Sequence, residues 1–256
     1  MAVLITGGAA GIGRAIADAF LTEGRAVHIC DIDRVAVEAY AKSHPRASGT
    51  EADAANLAQV DRVFDELLTR YGGLDVLVNN VGIAGPTAAV EDIEPEDWDR
   101  TIAIDLNAQF YFTRCAVPLL RAAGGGSIIN IASSAAFSGC PLRAPYVACK
   151  WAMIGFTKTL AMELGVHGIR VNAICPGSVR GPRIDGVIER DAELRGVSEQ
   201  EIRAMYERQT SLRTFIDAED VAQMALFLAS DKGGKISGQA IGVDGNTESL
   251  STWIPS

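Results

Sequence analysis

Thr6-Gly7-Gly8-Ala9-Ala10-Gly11-Ile12-Gly13 decides how this chain is read. It follows the apolar run 2–6 and leads into a helical pattern at 13–24. Glycines let the backbone turn tightly and approach a pyrophosphate closely, and a helix N-terminus favours its negative charge. The spacing is Gly-xxx-Gly-x-Gly, which differs from the commoner GxGxxG fingerprint. Outward from this turn, short apolar runs at 26–31, 74–79, 127–133, 169–175 and 240–243 read as buried strands, with a weaker one at 47–52. Helical patterns lie between them near 33–43, 56–71, 97–122, 146–164, 198–209 and 217–229. Strand alternating with helix predicts an α/β fold, a doubly wound parallel sheet of about seven strands with helices on both faces. Ligands of such sheets lie beyond the carboxyl ends of the strands, at the topological switch. The glycine turn, Asn79-Asn80, Ser133 and Pro176-Gly177 all follow strands, so the fold is expected to gather them at one edge.

Composition narrows the function. The 256 residues are 48% hydrophobic, enough for one sizeable core, and no repeat or linker divides 1–256. A net charge of −9 argues against nucleic-acid binding and against docking on an anionic membrane. No uncharged apolar run is long enough to span a bilayer, and nothing resembles a signal peptide. The cysteines Cys30, Cys115, Cys140, Cys149 and Cys175 show no CxxC spacing and read as reduced thiols of a cytoplasmic protein. His28, His44 and His167 are scattered, so no metal site is expected.

Tyr146 and Lys150 stand four apart in a helical pattern, hence on one face, with Ser133 upstream. An ammonium beside a phenol favours the phenolate, giving a proton donor or acceptor usable near neutral pH. Together with Gly7, Gly11 and Gly13, Asn79-Asn80-Val81-Gly82, Pro176-Gly177 and Val243-Asp244-Gly245, these residues make the chain resemble the short-chain dehydrogenase/reductase family over nearly its full length. The resemblance implies a Rossmann-like fold, a nicotinamide cofactor and a homotetramer or homodimer. It implies that Tyr146 is the general acid/base, that Lys150 holds the nicotinamide ribose and lowers the Tyr146 pKa, and that Ser133 hydrogen-bonds the reacting oxygen. Ser134 points to the opposite side if the strand persists, which makes it a supporting residue. Cofactor contacts carried over by the resemblance fall on Gly7, Gly11, Ile12, Gly13, Asp31, Ile32, Asp53, Ala54, Asn80, Tyr146, Lys150, Pro176, Gly177 and Val179. Asn79 is expected to tie strands together, and the Val179 backbone to hold the carboxamide.

Asp31 ends the second strand, where a carboxylate accepts from ribose hydroxyls and repels a 2′-phosphate. Ala10 is not basic, and Arg34 is the one nearby base, so NAD is expected; the plainer reading of Asp31 is a helix cap. Two positions depart from the family pattern. Asp105 stands where many relatives carry an Asn that kinks its helix, and a carboxylate there would alter the proton relay at Lys150; Asn107 lies on the wrong side of the helix to replace it. Gly181 replaces a Thr often found two residues after Val179, which suggests a looser lid. Residues 179–214 are expected to cover a small-molecule substrate. That stretch holds seven arginines and no lysine against seven acids. Most read as solvated helix faces, but Arg180 and Arg183, with Arg143 before Tyr146, are candidates for an anionic substrate group.

The expected activity is NAD-dependent interconversion of a secondary alcohol and a carbonyl on a sugar, polyol or hydroxy acid. The alternatives are an NADPH-dependent 3-oxoacyl thioester reductase and a non-catalytic nucleotide-binding regulator. For assembly, apolar residues of the helices near 97–122 and 146–164 (Ile102, Phe110, Phe112, Val117, Leu120; Trp151, Ile154, Phe156, Leu160) exceed what the sheet needs.

Overall fold

The strands are apolar on both sides because both faces of the sheet are covered. The computed structural model describes residues 2–247. Its strands are β1 (Ala2–Thr6), β2 (Ala26–Asp31), β3 (Ala47–Glu51), β4 (Leu74–Asn79), β5 (Gly126–Ile131), β6 (Ile169–Pro176) and β7 (Ala240–Val243). They form one seven-stranded sheet in the order β3-β2-β1-β4-β5-β6-β7, and every pairing is parallel. Val3 and Ile5 of β1 point into one core layer, with Ile16, Phe20 and Ala225, whereas Leu4 points into the other, with Leu67, Phe112 and Ile128.

The helices are α1 (Gly11–Thr22), α2 (Arg34–Ser43), α3 (Leu57–Tyr71), α4 (Pro95–Ile102), α5 (Ala108–Ala122), α6 (Ala144–Leu164), α7 (Pro182–Arg195), α8 (Glu199–Arg208) and α9 (Ala218–Ala229). α1 packs on α9 over one face, while α3, α5 and α6 cover the other. Side-chain oxygens stop the chain where helices begin: Asp33 accepts from the Ala36 N–H at α2, and Asn56 from the Gln59 N–H at α3. The cap of α2 is thus Asp33, not Asp31.

Three local expectations are corrected. The pattern at 97–122 is not one helix: a π-helical turn, Ala103–Asn107, separates α4 from α5, and the Ala108 N–H reaches back to the Ala103 carbonyl. Residues 182–195, outside the bounded helical patterns though some of their arginines read as helix faces, form α7, whose Ile188 and Ala192 pack with Ile202 and Phe215. Its pattern is obscured by Pro182, Gly186 and many charges. The strand expected at 127–133 ends at Ile131, so Ser134 does not alternate with Ser133; it is buried in a 3₁₀ turn, Ser134–Ala136.

At the sheet edge, His28 is buried beside β3. Its Nδ1 lies 2.7 Å from Ser48 Oγ and its Nε2 3.0 Å from Thr50 Oγ1. Thr50 donates to Glu66, so its oxygen accepts from His28 Nε2–H, and Nδ1 accepts from Ser48. Burial, reinforced by the Arg70 charge, lowers the His28 pKa from 6.5 to about 4. The folded protein therefore resists a proton that the unfolded chain accepts. The stabilisation is complete above the unfolded value and is lost as pH falls towards the folded one, about 3 kcal/mol for this group. In urea titrations between pH 7 and pH 4, His28→Gln is expected to flatten the fall of the midpoint; parallel wild-type and variant curves would refute the assignment.

Candidate active site

The site begins where β1 ends. Asn80, just past β4, donates from Nδ2 to the Thr6 and Gly7 carbonyls, both at 3.0 Å. The Thr6 hydroxyl accepts from the Asn80 and Val81 N–H groups at 2.9 and 3.0 Å. Gly13 packs against this knot: a Cβ there would stand 2.1 Å from the Gly7 oxygen. Ala10 supplies no side-chain cap to α1, and at the helix start the Arg14 N–H donates to the Ala10 carbonyl at 3.1 Å. The amides of the first turn therefore face outward without partners in the helix. A Cβ on Gly11 would project into open space. Open amides at a helix start beside a side-chain-free surface fit a pyrophosphate. The Asn80 amide is spent on the loop, so its part in any ribose contact is indirect.

Asp31 closes the far side of the cradle. Its Oδ2 accepts from the Ala9 N–H at 3.1 Å and its Oδ1 from the Asp33 N–H at 3.3 Å. Ile32, beside it, is 72% exposed. At the end of β3, Asp53 Oδ1 accepts from the Ala55 N–H at 2.9 Å, and Ala54 is buried. Arg34 turns away to Glu38 at 2.8 Å. On the other side of the switch, Gly177 N–H donates to the Val243 carbonyl at 3.0 Å, directly after Pro176. Val179 pairs with Ile216 as an isolated parallel bridge.

Ser133, Tyr146 and Lys150 come together. Ser133 is extended past β5, and its Oγ accepts from the Ala135 N–H at 3.2 Å. Tyr146 and Lys150 lie one turn apart on α6, with Lys150 Nζ 5.4 Å from the Tyr146 ring centre. Lys150 is buried and donates to the Ile131 carbonyl at 3.3 Å. Burial pushes the Tyr146 phenol up, but Lys150, Arg183, a hydrogen bond with Ser133 and Arg143 together hold it below its ordinary value. A phenol so placed is able to give or take a proton at an oxygen within hydrogen-bond reach.

The π turn brings in Asp105, which is wholly buried. Its Oδ1 accepts from the Ile83 N–H at 2.6 Å, and its Oδ2 lies 3.6 Å from Lys150 Nζ without a hydrogen-bond partner. Asn107 is exposed, on the far side of the turn. Of the three arginines, Arg180 is committed elsewhere, to Asp217 at 3.0 Å and Thr214 Oγ1 at 3.2 Å. Arg143 and Arg183 face the Tyr146 ring, at 4.9 and 6.0 Å from its centre. Sequence reading missed Gln109, buried and donating to the Val81 carbonyl at 2.8 Å; nothing in its helical pattern marks it. Among the described residues no group of three or more His, Cys, Asp and Glu could hold a metal ion, and no helix is long and apolar enough to cross a membrane.

The chain is similar to known proteins over nearly its whole length. The family profile described as Enoyl-(Acyl carrier protein) reductase matches residues 7–246. The chain is 35% identical to D-beta-hydroxybutyrate dehydrogenase of Rhizobium meliloti (strain 1021), over 94% of this chain and 96% of that one. A solved actinorhodin polyketide ketoreductase with NADPH superposes with a TM-score of 0.91 at 30% identity, covering 95% of each chain. NAD+-bound xylitol dehydrogenase gives a TM-score of 0.91 at 27% identity, over 96% of this chain and 98% of that one.

Because Asp105 offsets part of the Lys150 charge, Asp105→Asn is expected to lower the Tyr146 pKa further. The acid limb of the kcat/KM profile for alcohol oxidation should then move to lower pH by up to about one unit. An unmoved limb, or one moved to higher pH, would show that the carboxylate does not act on the phenol.

Proposed function

The chain belongs to the short-chain dehydrogenase/reductase family of oxidoreductases, and we propose that it interconverts a secondary alcohol and a ketone with NAD, on a small polyol or hydroxy acid. The observation that carries this reading is the Tyr146 phenol, held by Ser133 and Lys150 beside the glycine cradle. When bound, the nicotinamide supplies the hydride acceptor or donor. All other work falls to the chain.

In oxidation, Ser133 fixes the carbinol oxygen and Tyr146 takes its proton; in reduction, Tyr146 returns one to the carbonyl oxygen. Lys150 favours the phenolate and, seated against the Ile131 carbonyl, would hold the nicotinamide ribose. Gly7, Gly11, Ile12 and Gly13 would cradle the pyrophosphate, Asp31 the adenosine ribose, and Ile32, Asp53 and Ala54 the adenine. Asn80 would act by holding the loop, and Pro176, Gly177 and the Val179 backbone by seating the carboxamide. The whole chain acts in this reading as one cofactor-binding domain, with 179–214 as its substrate lid. NAD is preferred to NADP because the Asp31 carboxylate meets a 2′-phosphate with like charge, while Arg34 is paired with Glu38.

One experiment tests both parts. On a panel of polyols and hydroxy acids, the wild type should reduce NAD in preference to NADP, and Asp31→Ser should narrow that preference. Tyr146→Phe should lower turnover by at least ~100-fold with NAD affinity little changed. A Phe variant that keeps half its activity overturns the role of Tyr146, and equal wild-type use of both cofactors overturns the choice of NAD.

Phe110 on α5 and Trp151 on α6 are 50% and 51% exposed, a surplus of apolar surface that supports a dimer or tetramer built on these helices. Light scattering at micromolar concentration should give a multiple of the chain mass; a monomer contradicts it.

A further inference from the structure

Arg143 and Arg183 reach Tyr146 from different elements and are partnered differently from the other bases nearby. Arg143 immediately precedes α6, and its Nη2 donates to the Ala84 carbonyl at 2.7 Å, which fixes the guanidinium over the ring. Its Nε is buried without a hydrogen-bond partner. Arg183 is the second residue of α7 and faces the same ring from the lid. Among the described residues neither is ion-paired, although Arg180, Arg195 and Arg203 of the same lid have Asp217, Asp191 and Asp185. Lys150, the third cation at the phenol, already has Asp105. In a chain of net charge −9, two guanidinium groups without acid partners beside the Tyr146 ring favour an anion there.

The start of α7 adds to it. Gly181 gives that helix no side-chain cap, so its first amides and its positive end open beside Arg183. The Asp185 carboxylate in that first turn is bound to Arg203 and does not neutralise the pair.

We propose that Arg143 and Arg183 bind a carboxylate of the substrate, so that the molecule oxidised is a hydroxy acid and the product an oxo acid. The inference rests on the assignment of Tyr146 above, and it narrows the substrate from polyol or hydroxy acid to the latter. A guanidinium fork matches the two oxygens of a carboxylate, and two forks on separate elements fix its orientation as well as its charge. With the acid end held there, the carbinol of the same molecule is delivered to Ser133 and Tyr146. Arg143 is set by the body of the protein and Arg183 by the lid, so a bound carboxylate would also tie one to the other.

The test uses 2-hydroxypropanoate, 3-hydroxybutanoate and 4-hydroxypentanoate, each beside its neutral amide, with xylitol and sorbitol as uncharged polyols. At least one acid should outperform its amide and both polyols. Arg143→Gln and Arg183→Gln should each raise KM for that acid about 10- to 100-fold more than for its amide, while any change that comes through the Tyr146 phenol falls on kcat for acid and amide alike. Calorimetry with butanoate against butanamide, in the presence of NAD, reads the same site without chemistry. Butanoate should bind wild type and Tyr146→Phe alike and bind both arginine variants weakly. An equal loss on acid and amide would mean that the arginines act on the phenol alone, and it overturns the proposal. So does a preference for a polyol, or for a phosphate or sulfonate analogue of the acid, with the role of Tyr146 left intact. Full activity of Tyr146→Phe sinks the underlying assignment instead.

Discussion

Asn79 and Asn130 face each other across β4 and β5, both fully buried. Asn79 Nδ2 donates to Asn130 Oδ1 at 2.9 Å and to Thr113 Oγ1 at 3.0 Å, and Asn130 Nδ2 donates to Thr157 Oγ1 at 2.8 Å. Buried amides are costly when unpaired and rigid when paired. A one-residue slip of either strand would strand these donors in the core, so the ladder fixes register where hydrophobic packing alone would tolerate error. It also fixes the helices. Thr157 lies two turns beyond Lys150 on α6, so the bond to Asn130 sets the rotation of α6 and with it the position of Lys150 beneath Ile131. The cluster of Ser133, Tyr146 and Lys150 inherits its geometry from this polar seam.

Around the phenol the charge pattern reverses that of the whole chain. Lys150, Arg183 and Arg143 all pull towards the phenolate, and Asp105 stands on the other side of Lys150. Burial works against the ionised form, so the site is a balance in which several cations outweigh the loss of solvent. Asp105 is positioned by a single extra residue in the helix. Without the π turn, its carboxylate would not share a face with Lys150 in this way.

Most of the sheet was legible because strands covered on both sides read as unbroken apolar runs, and because the glycine turn, Asp31 and the Tyr146–Lys150 pair sit at their ends. The catalytic candidates were legible for the same reason: strand ends converge by topology. What escaped depends on partners distant in sequence. No pattern of residues marks the π turn, which the family resemblance foreshadowed only as a kink at the position of Asp105; it shows in the bond from the Ala108 N–H to the Ala103 carbonyl. α7 buries Val187, Ile188, Asp191 and Ala192, and much of its apolar packing is with its own lid. The separation of Arg180 from Arg183 turns on Asp217, which binds one and not the other.

The stem of that lid has a consequence of its own. The Arg180 N–H donates to the Ile216 carbonyl, and the Ile216 N–H to the Ser178 carbonyl, both at 2.9 Å. These bonds zip the two ends of the segment together at the spacing of neighbouring strands, about 4.8 Å. The segment between them is a closed loop, tied a second time where the Ser211 and Leu212 N–H groups donate to the Asn246 and Gly245 carbonyls, so residues between these two ties can be added, removed or exchanged without lengthening the path through the sheet. The fold thus carries a cassette: an insert that can vary on a frame whose strand ends and polar seam stay in place.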